Sequence, residues 1–418
     1  MSTPELSAAA VEAAAQVLAP IVLRTPLEYS QRLTDAVGAQ VFLKRENRQI
    51  ARSYKVRGAY HFISGLSAEE RQRGVVCASA GNHGQGVAWS CARLGLRGRV
   101  YVPGNTPRQK RQRILALGEG AVELVVAGSS YDEAGAAALA DAEATGAVFV
   151  HPFDDARTIV GQGSVAVELV EQSPAPLHTV IVPIGGGGLI AGMTLWLKER
   201  HPEIRVVGVE PAGAASMTAA LAAGAPTRLE RIDTFVDGAA VGRVGEVTFP
   251  VVRDLVDEVV TVPEGAVCTE MLELYQVDGI IAEPAGALAS TAVKQIAATL
   301  PAGAAVACVV SGGNNDVIRY AEIVERSLLH EGLRHYFLVT FPQEPGALRH
   351  FLDDVLSEGE DIVVFEYVKK NNRETGPAMV GIELETAAGL SPLLERMAAS
   401  PLQIDQVPPG SPLFSFLT

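Results

Sequence analysis

One lysine in the sequence has neighbours that suit covalent chemistry on an amino group. Lys55 lies in the segment SYKVRGA (residues 53–59), just before a predicted helix at residues 57–63. Partial burial and the positive end of a helix both disfavour an ammonium ion, so the pKa of such a lysine falls. Because only the neutral amine attacks a carbonyl carbon, this setting is typical of a nucleophilic lysine. The alternative is a surface lysine beside an aromatic residue, without a chemical role.

Two segments rich in small residues each follow a predicted strand and precede a predicted helix. The first is ASAGNHGQG (78–86), to which Ser79, Asn82 and His83 add polar side chains, and the second is PIGGGGL (183–189). Backbone N–H groups at the start of a helix bind anions, so each segment predicts a seat for a carboxylate or a phosphate. The glycine run lacks the GxGxxG spacing of dinucleotide sites and the Lys-Ser/Thr of a P-loop, which favours one terminal phosphate. The alternative for both segments is a structural turn.

A fourth segment, SGGN (311–314), directly follows the apolar run at residues 305–310. Ligands of parallel α/β sheets gather at the carboxyl ends of the strands. There, the Ser311 hydroxyl is placed to hydrogen-bond a ring nitrogen. A serine that caps the following turn explains the residue equally well.

The elements that must position these segments alternate along the first 300 residues. Short β-branched runs are followed by Ala- and Leu-rich helical stretches, and most of the runs end near Gly, Ser, Pro or Asn. This alternation predicts an α/β protein with parallel sheets.

Beyond residue 330 the pattern changes to strand, helix, two strands, helix and a weak last strand at residues 403–407. That order is typical of a ferredoxin-like α+β unit. We therefore predict a catalytic domain at residues 1–325, a linker at 326–334 and a small C-terminal domain at 335–418. Such a unit either binds a small effector or serves dimerisation and packing.

Composition excludes several classes of protein. The chain has 418 residues and a net charge of −14, and its densest basic run, Arg108 to Arg113, has no interleaved aromatics, so no nucleic-acid partner is expected. The sequence has no long uncharged apolar run and no basic leader, which predicts neither a membrane span nor a signal peptide. The four cysteines, widely spaced, indicate neither a zinc site nor disulfides and fit a cytoplasmic location.

Taken together, SxKxRG, SxGNHGQG, GGGGL and SGGN in this order resemble the fold type II (tryptophan-synthase-β-like) enzymes that use pyridoxal 5′-phosphate. Within that group the sequence is most similar to the threonine dehydratase family. The resemblance implies a two-lobed catalytic domain and an ACT-like regulatory domain. It also implies the dehydration and deamination of L-threonine, and of L-serine as a second substrate.

The family resemblance also implies roles for individual residues of this sequence. It implies that Lys55 binds the cofactor covalently, that Asn82 contacts its 3′-oxygen, that the glycines hold its phosphate and that Ser311 faces its pyridine nitrogen. Glu283 of the EPAGA segment is expected near the cofactor ring, with Gly238 and Ala239 close by. The implied cofactor-binding residues are Lys55, Tyr54, Asn82, Gly185, Gly186, Gly187, Gly188, Leu189, Glu283 and Ser311. The implied substrate-binding residues are Ser79, Gly81, Asn82 and His83.

Three departures from related patterns refine these expectations. Tyr54 stands where the family usually has Phe. Ala80 stands where serine racemases of this fold carry a second base, which disfavours racemisation. Glu210 and Ala214 match a divalent-metal site of some relatives, but Ser216 replaces its second carboxylate, so no metal is predicted.

The C-terminal unit implies feedback control, by resemblance through isoleucine, with residues 340–348 as an effector loop and with a homotetrameric assembly. The activity would then be the first step of isoleucine biosynthesis. A serine dehydratase or a β-replacement synthase of the same fold is the alternative enzyme. A catalytically silent amino-acid sensor would be expected to have lost the lysine or the glycine run, and both are intact.

Overall fold

The β-branched runs form strands in the computed structural model, which describes residues 5–369, 373–408, 411, 413 and 414. The strands are β1 (Leu27–Tyr29), β2 (Gln40–Arg45), β3 (Val75–Ala78), β4 (Gly98–Val102), β5 (Val122–Val126), β6 (Val148–Phe149), β7 (Leu177–Pro183), β8 (Arg205–Pro211), β9 (Glu258–Val262), β10 (Ala305–Val310), β11 (Arg334–Pro342), β12 (Glu360–Tyr367), β13 (Thr375–Leu384) and β14 (Gln403–Val407).

Helices fill most of the intervals between the strands. They are α1 (Ala8–Leu18), α2 (Gln31–Val37), α3 (Lys55–Ser64), α4 (Ala68–Arg73), α5 (Asn82–Leu94), α6 (Arg108–Gly118), α7 (Tyr131–Thr145), α8 (Ala156–Gln172), α9 (Gly188–Arg200), α10 (Ser216–Ala223), α11 (Thr248–Leu255), α12 (Glu264–Gln276), α13 (Pro284–Gln295), α14 (Tyr320–His330), α15 (Ala347–Val355) and α16 (Leu390–Ala399). The cap of α1 is Ser7. The Ala-rich run at residues 5–18 predicts this helix with Ser2 or Thr3 available as caps, and both of those residues lie outside the described part of the chain.

The strands of the first unit form two separate sheets. One has the order β1-β2-β10-β7-β8-β9 and the other has the order β5-β4-β3-β6. Every neighbouring pair is parallel except β1 with β2. The predicted α/β class with parallel sheets is thus confirmed, and its strands are divided between two lobes.

Burial on both faces explains why the central strands are almost wholly apolar. All residues of β3 and β10 are buried; a core formed with α1, α8 and α9 covers one face of the larger sheet, and α13 contacts the strands β7 to β10. A parallel sheet covered in this way needs apolar side chains on both faces of each strand. As a result, the polar and small residues of the sequence motifs are concentrated at the strand ends.

The second unit is an antiparallel sheet, β12-β13-β11-β14, with α15 and α16 packed on one face. Its element order is the predicted strand-helix-strand-strand-helix-strand. The chain divides into residues 1–315 and 316–418. Helix α14 overlaps the predicted linker 326–334, and Tyr336 on β11 donates a hydrogen bond to Glu325 of that helix at 2.7 Å. The domain limits at 325 and 335 stay predictions.

Across the described residues, no helix combines the length and the apolar character that crossing a bilayer requires.

Candidate active site

Lys55 is the first residue of α3, and its amine is directed into the first unit. Its Nζ donates a hydrogen bond to the carbonyl oxygen of Pro152 at 3.0 Å and lies 5.3 Å from the centre of the Tyr54 ring. Burial lowers the pKa of Lys55 to about 8, although the negative charge of Glu283 acts in the opposite direction. A share of the amine is therefore neutral near pH 7, which is the form that attacks a carbonyl carbon.

The glycine run lies between β7 and α9, where it leaves no room for side chains. A Cβ at Gly186 would overlap the ring of Phe153, and one at Gly188 would lie 2.9 Å from the Phe153 Cα. Gly187 has a φ of 94°, which side chains rarely tolerate. No side chain caps α9, so the N–H groups of its first turn keep no partner within the helix. The run therefore has the geometry of an anion seat.

The first residues of α5 form a second cluster of backbone donors. The helix begins at Asn82, earlier than the apolar pattern predicts. Gly81 is at its N-cap position, and no side chain of the described residues caps the helix there. Ser79 Oγ accepts a hydrogen bond from the Gly81 N–H at 3.2 Å and so holds the turn. The four residues predicted to bind the substrate carboxylate lie together at this helix start.

The imidazole ring of His83 is not placed to act as a charged group. Its Nε2 lies 2.8 Å from the carbonyl oxygen of Val150, which assigns the proton to that nitrogen. Nδ1 is buried without a partner among the described residues. Burial lowers the pKa of His83 to about 3, so the ring is neutral. The group that His83 offers to an anion is its backbone N–H.

Glu283 and Asn82 join the two lobes of the site. Asn82 Nδ2 donates to Glu283 Oε1 at 2.6 Å, and Asn82 Oδ1 accepts from Asn314 Nδ2 at 2.7 Å. Burial, reinforced by the charge of Asp237, raises the pKa of Glu283 to about 7. A Cβ at Gly238 would lie 3.5 Å from Glu283 Oε1. The network connects α5 of the smaller lobe with the start of α13 of the larger one.

Ser311 ends β10 and lies next to the lysine segment. Its hydroxyl donates to the carbonyl oxygen of Ala285 at 3.2 Å, and its own carbonyl accepts from the Tyr54 N–H at 3.2 Å. Ser53 also forms an isolated bridge with Gly312. Ala239 lies against the glycine run, where a Cβ at Gly185 would approach its Cα to 3.1 Å. The structure thus brings every predicted motif to one region of the first unit.

Sequence reasoning missed the segment at residues 150–155, VHPFDD, which contacts most parts of this region. Val150 accepts from His83, Pro152 accepts from Lys55, and Phe153 packs on the glycine run. Asp154 accepts from the Val247 N–H at 2.7 Å, and Asp155 caps α8. The available signal was a pair of aspartates and a His-Pro directly after a predicted strand.

A buried charge cluster anchors α3 on the side opposite Lys55. The guanidinium of Arg57, with its side chain fully buried, donates to both oxygens of Glu46 and to both oxygens of Glu168, at distances of 2.7–2.9 Å. Lys44 Nζ lies 2.7 Å from Glu168 Oε2. Burial alone would raise the pKa of Glu46, but Arg57 and Lys44 hold it below its usual range. The first turn of α3 is therefore fixed to α8 and to the short turn that directly follows β2.

Glu210, one of the residues weighed for a metal, is engaged with backbone. Its oxygens accept from the N–H groups of Met217 at 2.6 Å and Thr218 at 2.8 Å, at the start of α10. Burial raises its pKa. The absence of a metal requirement stays a prediction.

These residues fit the cofactor that the sequence resemblance implies. Lys55 would supply a partly neutral amine for the aldehyde of pyridoxal 5′-phosphate. The glycine run would supply a seat without side chains for its phosphate, and Ser311 would supply a neutral hydroxyl for its ring nitrogen. The individual roles of these residues remain our assignments.

Comparisons with known proteins agree with this reading. Residues 18–312 match the family described as "Pyridoxal-phosphate dependent enzyme", and residues 325–417 match the "C-terminal regulatory domain of Threonine dehydratase". A Mycobacterium tuberculosis protein named "L-threonine dehydratase biosynthetic IlvA" is 57% identical over 414 residues, which are 99% of this chain and 96% of that protein.

Solved structures with the same architecture include two from plants. The processed form of threonine deaminase isoform 2 from Solanum lycopersicum has a TM-score of 0.73 at 36% identity, covering 77% of this chain and 88% of that one. Maize serine racemase has a TM-score of 0.71 at 34% identity, covering 78% and 98%. Lys55 and the glycine run lie within the first matched range, and the C-terminal unit corresponds to the second. The chain therefore belongs to the pyridoxal-phosphate-dependent enzyme family and carries the regulatory domain typical of threonine dehydratases.

Proposed function

We propose that this chain converts L-threonine into 2-oxobutanoate and ammonia as the first step of isoleucine biosynthesis. The observation that carries the proposal is the Lys55 amine at the start of α3, which has a lowered pKa and donates to Pro152, next to the Phe153 that packs on the glycine run. Full-length similarity to proteins named as biosynthetic L-threonine dehydratases supports the choice of substrate.

Binding of the substrate uses the start of α5. The carboxylate of threonine accepts hydrogen bonds from the backbone N–H groups of Asn82 and His83, helped by the positive end of the helix. Ser79 keeps the turn in shape through its bond to Gly81. This contact fixes the amino acid so that its α-hydrogen and its amine face Lys55.

Proton transfer at Cα is the task of Lys55. When bound, pyridoxal 5′-phosphate supplies the electron sink that stabilises negative charge at Cα. The neutral form of the Lys55 amine, whose share is increased by the pKa of about 8, accepts the Cα proton at Nζ. The Pro152 carbonyl holds that nitrogen in place. General base help of this kind contributes roughly 10²–10⁴-fold in rate.

The proposed product follows from elimination of the β-hydroxyl group of threonine. Threonine loses water to give an enamine, which then takes up water and releases ammonia to give 2-oxobutanoate. Ser311 presents a neutral hydroxyl, rather than a carboxylate, at the end of β10. A neutral partner does not hold a proton on the ring nitrogen, which favours prompt elimination over a long-lived carbanion.

The C-terminal unit is assigned to feedback control. We infer that isoleucine is its effector, that the enzyme assembles as a homotetramer and that it works in the cytoplasm. The support is the match of residues 325–417 to a threonine dehydratase regulatory domain, together with the biosynthetic names of the relatives. L-Serine is expected as a second substrate. The β-replacement synthase alternative is not favoured, since the relatives over the full chain are named dehydratases.

The test is 2-oxo acid release by the purified protein from L-threonine, with and without L-isoleucine. Turnover that isoleucine suppresses supports the activity and the effector together. Turnover without suppression retains the enzyme and rejects isoleucine. No turnover with threonine or serine, despite bound cofactor, rejects the dehydratase proposal and favours a synthase that needs a second substrate.

A further inference from the structure

A buried threonine outside the predicted site controls one peptide of the glycine run. Thr248 is the first residue of α11 and is fully buried. Its hydroxyl donates to the carbonyl oxygen of Gly186 at 2.7 Å, while a second acceptor, the Gly245 carbonyl, is further away at 3.4 Å. A Cβ at Gly187 would lie 2.9 Å from the Thr248 Oγ1, so the side chain also lies close against the run.

Asp154 fixes the position of that threonine. Its Oδ1 accepts from the N–H groups of Val247 at 2.7 Å and Thr248 at 3.3 Å, and its Oδ2 accepts from that of Glu246 at 2.9 Å. A carboxylate that accepts several N–H groups at a helix start holds the helix end firmly. The 150–155 segment thus acts on the glycine run in two ways. The Phe153 ring packs on it directly, and Asp154 acts indirectly by holding Thr248.

The Gly186 carbonyl is held towards α11 by the Thr248 hydroxyl at 2.7 Å, with a longer hydrogen bond from the Gly245 N–H at 3.4 Å. In a planar trans peptide, the carbonyl oxygen and the following N–H point in opposite directions. Because the Gly186 carbonyl is held towards α11, the Gly187 N–H points away from α11. Gly187 has a φ of 94°, and glycine adopts positive and negative φ values about equally readily. The backbone preference of Gly187 therefore does not fix the orientation of the peptide between Gly186 and Gly187.

We propose that Thr248, held by Asp154, is a positioning residue that orients the Gly187 N–H as a donor of the anion seat. The inference rests on the proposed function, because it takes the phosphate of pyridoxal 5′-phosphate as the anion. Thr248 itself touches the glycine run and not the phosphate. The effect is selective, since it strengthens binding through the phosphate and not through the aldehyde at Lys55.

The experiment compares two probes, pyridoxal 5′-phosphate and pyridoxal, titrated into the cofactor-free full chain and followed by visible absorbance. Thr248→Val removes the hydroxyl and keeps the shape of the side chain. We expect binding of pyridoxal 5′-phosphate to weaken roughly tenfold, the effect of one positioned hydrogen bond, with binding of pyridoxal unchanged. Thr248→Ser keeps the hydroxyl and is expected to restore the affinity.

Thr194→Val is the matched control. Thr194 is a buried threonine on α9, the helix that follows the run, and its hydroxyl has no hydrogen-bond partner among the described residues. The same substitution there is expected to leave both affinities unchanged. If Thr248→Val prevents folding, Asp154→Asn tests the same claim, because it removes the charge that holds α11 and keeps the Thr248 hydroxyl; a smaller loss, again selective for the phosphate, is then expected.

Equal weakening of both probes by Thr248→Val, or no weakening of either, would overturn the role of Thr248. One further result would test the phosphate site itself rather than the role of Thr248. If the unchanged protein binds pyridoxal as tightly as pyridoxal 5′-phosphate, the glycine run is not a phosphate seat, and the cofactor assignment fails before Thr248 is considered.

Discussion

The amine of Lys55 is subject to two opposing influences. Loss of water lowers its pKa, and the carboxylate of Glu283 raises it, with a net value of about 8. An ordinary lysine has a pKa near 10.4. The proposed chemistry needs the neutral amine, so the balance between burial and the Glu283 charge sets the pH range in which the lysine reacts.

The first prediction concerns this pH range. The neutral fraction of Lys55 rises as pH increases through about 8, so capture of pyridoxal 5′-phosphate by the cofactor-free protein should accelerate from pH 6 and level off above pH 8. The measurement is the rate of growth of visible absorbance in a pH series. A rate that still climbs about tenfold per pH unit near pH 9 would show an ordinary lysine.

The second prediction removes the amine. Lys55→Ala should abolish the visible absorbance of bound cofactor and reduce turnover by more than about 10²–10⁴-fold, because both nucleophile and base are lost. Lys198→Ala is the control, since that amine contacts Ile204 and Asp257 at the far end of α9. Retained absorbance and turnover in Lys55→Ala would place the nucleophile elsewhere.

Among the elements, the glycine run shows most directly how packing dictates sequence. Phe153 occupies the space that side chains at Gly186 and Gly188 would need. The ring has its own support, because it stands edge-on to the His151 ring with the centres 4.7 Å apart. The run is therefore confined by a rigid neighbour and cannot relax around an added methyl group.

The third prediction follows from this confinement. Gly186→Ala should lower the free energy of unfolding of the cofactor-free protein by about 1–3 kcal/mol, the usual cost of overpacking. Gly135→Ala, on α7 with open space around it, should instead raise it by about 0.5–1 kcal/mol. Urea unfolding of both variants measures the difference. Equal stability of the two would contradict the packing argument.

Much of the site could be predicted because its parts are local in sequence. A β-branched run predicts a strand, and glycine or small polar residues directly after it predict an anion seat, so the segments at Ser79, Gly185 and Ser311 were identifiable. The C-terminal order of strands and helices was equally readable. In each case the signal lies within about ten residues of chain.

The remaining features depend on contacts between distant segments. Asp154 and Val247 are hydrogen-bonded across 93 positions, and Thr248 meets Gly186 across 62. No periodicity records such pairs, so neither Asp154 nor Thr248 was foreseen. The division of the strands into two lobes came from the family resemblance and not from the alternation of strands and helices, because a strand's neighbours are set by the crossover connections.

At the scale of the molecule, the chain consists of two units with separate cores. The second unit has its own sheet and helices packed around residues such as Phe337, Phe351 and Ile382. Helix α14 belongs to that unit, as the hydrogen bond from Tyr336 to Glu325 indicates. A truncation that respects the fold therefore ends at Asn315 and not within or after α14.

The fourth prediction uses this boundary. Truncation after Asn315 should abolish inhibition by isoleucine and leave measurable turnover of threonine, because Lys55 and its partners all lie in the first unit. Truncation after His330 should be less stable, since it keeps α14 without β11. Assays with and without isoleucine, compared with the full chain, provide the measurement. Inhibition that persists after removal of the second unit would contradict the assignment of regulation to it.

The buried cluster of Lys44, Glu46, Arg57 and Glu168 has a consequence for how this sequence can change over time. Two positive and two negative side chains share one dry interior, so the loss of any one leaves an unbalanced charge that costs about 3–5 kcal/mol, a large part of a typical fold's stability. A single replacement at one of these positions is therefore expected to destabilise the fold more than a double replacement that removes one positive and one negative side chain together.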